Sequence, residues 1–106
     1  MSKGLGFGNI VKHAQELQER LAKVQEDAAA RTVEGSAGGG MVKATVNGRL
    51  EVLRVHIEPA VLQGGDTQML EDLVVAAVNQ GIRAAQQQMA EEMSKLTGGL
   101  KIPGLT

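Results

Sequence analysis

The sequence contains no cysteine, tryptophan or tyrosine, and its single aromatic residue is Phe7. The missing cysteines exclude disulfides, a thiolate nucleophile and a Cys-ligated metal. With one aromatic residue in the chain, the hydrophobic core must be built from aliphatic side chains and methionine. The same shortage argues against a protein that holds single strands by stacking bases on aromatic rings.

The chain also lacks long apolar runs and a strong charge of either sign. No run approaches the roughly 20 apolar residues needed to cross a bilayer, and the N-terminus lacks the apolar segment of a signal peptide. We therefore expect a cytoplasmic protein with no membrane partner. The formal net charge of -1 does not by itself indicate a nucleic-acid binder. The length of 106 residues predicts one domain spanning residues 1–106.

Two amphipathic helices are predicted at the ends of the chain. The first follows an N-cap at Asn9 and ends near Ala30, with apolar residues at heptad-like spacing. The second runs from Asp66 to Thr97 and is roughly 45 Å long at about 1.5 Å per residue. A helix of that length cannot be covered by a chain of this size, so it needs a partner. The glycine-rich residues 1–8 and 98–106 are predicted to be a flexible arm and a flexible tail.

The periodicity between the two helices changes to two, which is typical of β-strands. Thr32–Glu34 begins a short strand, Met41–Val46 is a second strand and Leu50–Ile57 a third. Asn47-Gly48 predicts a hairpin with a type I′ turn between the last two, since both residues tolerate positive φ. The predicted order is therefore helix, three-stranded antiparallel sheet and long helix, an α+β fold.

The alternation also predicts which strand residues share a face. Val42, Ala44 and Val46 lie on one face of the second strand, opposite Lys43 and Thr45. On the third strand the pattern places Leu53, Val55 and Ile57 together on one face. The opposite face combines Leu50 and Val52 with Arg54 and His56. Apolar residues on both faces of the third strand indicate that part of its second face is covered by another subunit.

The sequence gives little support for catalysis. His13 and His56 lie on different elements, and no pair of ionisable residues has the spacing of a metal site or an acid/base pair. The glycine clusters at residues 4–8 and 38–40 lack the strand and helix context of a phosphate loop, so turn chemistry explains them better. We predict no catalytic residue, no metal, no cofactor and no small-molecule substrate.

The basic residues allow two interpretations. Most positive charges on the first helix have an acidic residue nearby, which favours a solvated charged face. If the two long helices pack antiparallel, however, Lys3, Lys12, Lys95 and Lys101 gather at one tip, where a helix N-terminus also favours phosphate. Arg20, Lys23 and Arg83 are lesser candidates for the same role.

Several short stretches follow one another along nearly the whole chain. They are Lys12-His13-Ala14-Gln15 with Leu17-Gln18, Gly40-Met41-Val42-Lys43-Ala44-Thr45-Val46-Asn47-Gly48, Val55-His56-Ile57-Glu58-Pro59, Leu70-Glu71-Asp72-Leu73, Ala76-Ala77-Val78-Asn79, and Leu96-Thr97-Gly98-Gly99-Leu100 with Pro103-Gly104. In this order they resemble the YbaB/EbfC family of bacterial nucleoid-associated proteins, and no single motif carries the resemblance. Gly81 departs from the alanine usual in the family, which predicts a long helix loosened by about 1 kcal/mol.

The resemblance implies a cytoplasmic homodimer of α-β-β-β-α subunits whose two long helices project as pincers. It implies a nucleoid protein that binds double-stranded DNA through backbone and shape, with little sequence specificity, and that organises the nucleoid and affects gene regulation. On this basis the DNA-contacting residues are predicted to be Lys3, Lys12, Arg20, Lys23, Arg83, Lys95 and Lys101. The alternative is a dimeric protein-interaction module that grips a protein partner through Met89, Met93 and the apolar tail.

Overall fold

The α-β-β-β-α order is confirmed in a computed structural model, which describes residues 2–96 and the side chains of residues 6–95. A short helix, α2, is added between the sheet and the long helix. The elements are α1 (Ser2–Ala30), β1 (Thr32–Ala37), β2 (Val42–Asn47), β3 (Val52–Ile57), α2 (Pro59–Gln63) and α3 (Thr67–Leu96). No helix among the described residues is long and apolar enough to cross a membrane.

Helix α1 begins at Ser2, so the predicted start after an Asn9 cap is wrong. Once a helix is nucleated, each added residue gains one backbone hydrogen bond, and no proline interrupts the ladder here. A Cβ added at Gly6 or Gly8 would meet nothing within 4 Å, so these glycines sit on an open helix surface. The flexibility of residues 1–8 stays a prediction, and the tail at 98–106 lies outside the described residues.

The three strands form one antiparallel sheet in the order β1-β2-β3. On the side that faces α3, Val42, Ala44 and Val46 are fully buried, which confirms the predicted apolar face of β2. Their cross-strand partners on β1 are Ala37, Gly35 and Val33, and those on β3 are Ile57, Val55 and Val52. Because paired residues of an antiparallel sheet point to the same side, these nine residues share the helix-facing side.

One extra residue in β3 changes the predicted faces of that strand. Thr45 pairs with Arg54 and Val46 with Val52, so Leu53 is a bulge that no residue of β2 opposes. The bulge shifts the alternation by one residue, and Val52 rather than Leu53 joins Val55 and Ile57. The predicted grouping of Leu53 with those two residues is therefore wrong.

The loop between β2 and β3 is not the predicted type I′ turn. Positive φ occurs at Leu50 (63°), whereas Asn47 and Gly48 have negative φ. The Leu50 amide donates to the Asn47 carbonyl at 3.0 Å and the Asn47 amide donates to the Glu51 carbonyl at 3.1 Å. This is a longer hairpin loop with its left-handed residue in the last position.

The Asn47 side chain closes the same loop. Its Oδ1 accepts hydrogen bonds from the amides of Arg49 (2.9 Å) and Glu51 (3.0 Å), and its Nδ2 donates to Glu51 Oε1 at 2.8 Å. Asn47 is the one polar residue that is buried among the described residues. Asn47 therefore stabilises the loop through its side-chain hydrogen bonds and not by adopting a positive φ.

Helix α3 crosses β1 and β2 at very short range because glycine occupies both sides of the contact. A Cβ added at Gly35 would lie 2.2 Å from both the Ala77 carbonyl oxygen and the Gly81 amide nitrogen. A Cβ added at Gly81 would lie 2.7 Å from Val46 Cγ2. Gly81 is buried, and its lack of a Cβ lets α3 pack closely on the sheet. The sequence predicted only that Gly81 would loosen α3.

Helix α1 is anchored only at its C-terminal end. The Gly48 amide donates to the carbonyls of Ala29 (3.0 Å) and Arg31 (3.1 Å), which lie at the end of the helix. Ala28 is buried there, and all side chains of residues 6–23 are exposed. The radius of gyration is 21.3 Å and the extents are 79 × 28 × 15 Å, against about 13 Å for a compact domain of this length. The chain therefore has a sheet-and-helix body and one long free arm.

Candidate nucleic-acid interface

The predicted basic residues of α1 lie along the free arm. Lys12, Arg20 and Lys23 are all exposed. Glu16 and Glu19 lie on the same charged side, and Glu16, Glu19, Arg20 and Lys23 line one shallow surface depression. No ion pair joins any of these α1 charges in the described part of the chain. The arm thus presents alternating positive and negative charges to solvent.

The basic residues of α3 are placed differently. Arg83 is exposed on the body of the molecule. Lys95 Nζ lies 3.7 Å from Glu92 Oε1, and the same carboxylate accepts a hydrogen bond from Arg31 at the end of α1. Lys95 therefore belongs to a charge cluster at the root of the arm, where α1 meets α3.

The predicted gathering of lysines at one tip is wrong for the residues that the structure describes. At about 1.5 Å per residue, Lys12 lies roughly 28 Å out along α1 from Arg31, whereas Lys95 lies within one turn of Glu92 at the root. The two helices meet at their C-terminal ends, so α1 leads away from α3 and does not run alongside it. The Lys3 side chain and Lys101 lie outside the described residues.

Sequence reasoning missed the outer face of the sheet, the side opposite α3. Lys43 pairs with His56 and Thr45 with Arg54 across β2 and β3. These four residues and Glu34 of β1 line a shallow depression on that face. The alternation predicts Lys43 and Thr45 on a polar face of β2, but it predicts Arg54 and His56 on a face that also carries Leu50 and Val52. The missing information was the bulge in β3 and the register between the strands.

The two histidines lie on separate parts of the structure. His56 Nε2 lies 3.5 Å from Glu58 Oε1 at the end of β3, while His13 lies on the exposed arm. No group of three His, Asp or Glu residues in the described part of the chain could hold a metal ion. This His56–Glu58 contact is open to solvent on both sides, with side chains 46% and 50% exposed.

Two apolar surfaces remain uncovered. On α1 the large side chains of Phe7 (70%), Ile10 (68%), Leu17 (66%) and Leu21 (42%) are exposed. A second surface lies beside β3, where α3 covers β1 and β2 but hardly reaches the third strand. Its exposed residues are Val52 and Val55 of β3. Large apolar side chains exposed together in this way are typical of a protein interface.

The fold and this surface define a class of protein: a small α+β protein that presents a long helical arm and charged open faces. The chain belongs to the YbaB/EbfC DNA-binding family, whose model matches residues 3–100. The resemblance found in the sequence is thereby confirmed, and this is a DNA-binding family, not an enzyme family.

Individual relatives agree with the family assignment. A nucleoid-associated protein of Thermoanaerobacter sp. (strain X514) is 52% identical over 102 residues, covering 96% of this chain and 92% of the relative. A nucleoid-associated protein of Syntrophobacter fumaroxidans is 50% identical over 105 residues, covering 99% and 93%. An uncharacterized protein of Helicobacter pylori has the same fold, with a TM-score of 0.67 at 19% identity, over 84% of this chain and 94% of that one.

Proposed function

We propose that this protein is a nucleoid-associated homodimer that binds duplex DNA with little sequence specificity, organises the nucleoid and affects gene regulation. The observation that carries the proposal is the match to a DNA-binding family across residues 3–100. Relatives that are about half identical and span almost the whole chain are named nucleoid-associated proteins. The working location would be the nucleoid within the cytoplasm.

The proposed mode of DNA binding is contact with the phosphate backbone. The predicted contacts are Lys3, Lys12, Arg20, Lys23, Arg83, Lys95 and Lys101. Such contacts position a protein on a duplex without reading its sequence, and they release counterions, so binding weakens steeply as salt rises. Positive and negative side chains alternate on α1, which favours modest affinity of each subunit for DNA. A second subunit would add its own contacts to the same duplex.

The homodimer is proposed because two apolar surfaces of one chain have no partner among its described residues. Burying a large aliphatic side chain stabilises by about 1.5–3 kcal/mol, so leaving the apolar side chains of α1 in water forfeits several times that amount. A symmetric dimer buries each surface twice. Sedimentation equilibrium tests this step, and a folded monomer at micromolar concentration would contradict it.

The proposed function is tested by titrating a fluorescent mixed-sequence duplex with the protein at about 50 to 200 mM salt. We expect binding that weakens linearly in a plot of log affinity against log salt, with similar affinity for a duplex of shuffled sequence. Absence of binding at the lowest salt would refute the proposal. A strong preference for one sequence would contradict its low-specificity part.

A protein-interaction module is the second candidate function. The observation that favours it is the exposed apolar side of α1 together with Met93 at the end of α3, 46% exposed. Replacing Lys12 and Lys95 by Glu separates the two functions. Loss of DNA binding with intact capture of a protein partner favours the DNA-binding function, whereas a parent protein that captures a protein partner and binds no DNA favours the interaction module.

A further inference from the structure

We propose that the outer face of the sheet is a second phosphate-binding surface for the backbone of duplex DNA. This outer-face site consists of Lys43, Thr45, Arg54 and His56. The inference rests on the proposed function, because it names a surface through which the same ligand is bound. It adds a site on the body of the molecule to the contacts expected on the helices.

The strand register brings the four side chains together. Lys43 and His56 are direct cross-strand partners, and so are Thr45 and Arg54 in the next row on the same face. Directly opposed side chains of an antiparallel pair have Cβ atoms about 4.5–5.5 Å apart. Four neighbouring hydrogen-bond donors therefore share one open patch, because α3 packs on the other side of the sheet.

The chemistry of the patch suits phosphate oxygens. Lysine and arginine donate hydrogen bonds and cannot accept them, and threonine hydroxyls are common phosphate contacts in protein–DNA complexes. Among the residues whose side chains are described, neither Lys43 nor Arg54 forms an ion pair. Two cations without carboxylate partners on one face are available to an external anion.

The charge balance distinguishes this face from the arm. Glu34 is the one carboxylate among the residues that line the outer-face depression, against Lys43 and Arg54, and Glu58 lies outside this lining beside His56. The comparable depression on α1 is lined by two cations and two acids, which are Arg20, Lys23, Glu16 and Glu19. For the same number of cations, the outer-face lining therefore carries one acid fewer than the lining on the arm.

The outer face also stays accessible in the proposed dimer. The uncovered apolar residues of β3, Val52 and Val55, pair with the buried face of β2 and so lie on the side of α3. A second copy that covers them approaches from that side and leaves the polar side open. A flat face without aromatic residues has no stacking platform for single strands, so duplex backbone is the occupant that fits.

The first test removes the two cations. Where one subunit of the dimer contacts the duplex through this face, we expect Lys43→Gln with Arg54→Gln to reduce the slope of log affinity against log salt by about 1.8, at roughly 0.9 per lost phosphate contact. If the affinities converge at 1 M salt, this is about 60-fold weaker binding at 0.1 M. An unchanged slope would overturn the inference, provided that the unaltered protein binds the duplex. If the unaltered protein fails to bind, the proposed function fails first and the inference with it.

A matched control distinguishes a localised phosphate-binding site from a general effect of net charge on DNA binding. Arg49 lies in the loop of the same hairpin, is exposed, and does not line the depression. We expect Arg54→Gln to weaken binding about tenfold at 0.1 M salt and Arg49→Gln to leave it nearly unchanged. Equal losses in the two variants would mean that net charge alone governs binding, and would overturn the inference.

Two further measurements do not depend on a loss of binding. Replacing Glu34 by Gln removes the acid from the outer-face site and should tighten binding about two- to threefold, the size of one exposed charge interaction. A misfolded variant cannot produce that gain. In the unaltered protein, duplex DNA should protect Lys43 from acetylation, read by mass spectrometry. Unchanged acetylation of Lys43 at saturating DNA would overturn the inference.

Discussion

The close approach of β1 and α3 at Gly35 makes a sharp prediction about stability. In Gly35→Ala the new Cβ would lie 2.2 Å from Ala77 O and from Gly81 N, both backbone atoms. An ordinary contact begins near 3.4 Å, so the helix must retreat by about 3.4 - 2.2 = 1.2 Å. Because backbone atoms cannot rotate away as a side chain can, the whole of α3 has to shift over the sheet.

The cost follows from the packing beneath the helix. Lifting α3 loosens its contacts with Val42 and Ala44, which are fully buried. Overpacking a well-filled core typically costs 1–3 kcal/mol, and a clash with two backbone atoms belongs at the upper end. We therefore expect the free energy of unfolding to fall by about 3 kcal/mol in Gly35→Ala.

Gly81→Ala is the matched comparison on the other side of the contact. Its Cβ would meet Val46 Cγ2 at 2.7 Å, and the next atoms lie at 3.4 and 3.5 Å, so a smaller shift relieves it. Alanine also favours a helix over glycine by about 1 kcal/mol, which offsets part of the clash. We expect its free energy of unfolding to lie within about 1 kcal/mol of the parent.

Urea denaturation followed by circular dichroism measures both variants. All samples need the same protein concentration, because dimerisation makes apparent stability depend on concentration. The reasoning requires Gly35→Ala to be clearly less stable than Gly81→Ala. Equal stability of the two variants, or a Gly35→Ala protein as stable as the parent, would refute the argument that backbone contact sets the distance between helix and sheet.

The parts of the fold that could be predicted from sequence are those set by local periodicity. The alternation of Val42, Ala44 and Val46 identified the buried face, and the spacing of three and four residues identified α1 and α3. Both patterns arise because side chains must face one core, so each is visible within a single element. The same holds for the order of the elements.

The errors share a physical cause, which is contact between distant parts of the chain. The Asn47-Gly48 pair was interpreted from local turn preference, yet the Gly48 amide binds carbonyls at the end of α1, and the loop adapts by placing Leu50 at positive φ. The bulge at Leu53 is likewise invisible in the alternation of β3, because it is defined only by the partner strand.

The candidate site was harder to predict than the fold. The predicted gathering of lysines depended on where α1 meets α3. The two helices meet near their C-terminal ends, where Arg31 contacts Glu92. The charge pattern along α1 identified the basic residues of the arm, but it could not give their distance from Lys95. The outer face needed the register of β2 and β3, which placed Lys43 beside His56.

Three further predictions concern the loop, the arm and the dimer. Asn47→Ala removes three side-chain hydrogen bonds, two of them accepted from backbone amides, and should lower the free energy of unfolding by about 1–3 kcal/mol. Asn47→Asp combined with Glu51→Gln, which keeps the Oδ1 acceptor without setting two carboxylates side by side, should lose less in the same urea titration, and an equal loss would contradict the bonding account. Gly8→Ala places a Cβ in open space on α1 and should favour the helix locally by about 1 kcal/mol, seen as more helical circular dichroism with little change in the unfolding midpoint; no gain in helicity would mean that α1 is already fully formed at this point. The Leu17 side chain is 66% exposed in the single chain and should be buried by the second copy. Leu17→Ser therefore places a polar group in the proposed dimer interface. At about 2 kcal/mol per subunit, the symmetric dimer loses about 4 kcal/mol, which corresponds to roughly 1,000-fold weaker association by sedimentation equilibrium. Leu62→Ser is a control of similar exposure on α2, at 58%, and should leave the dimer intact; equal weakening by both variants would show that the apolar side of α1 is not the surface that joins the subunits.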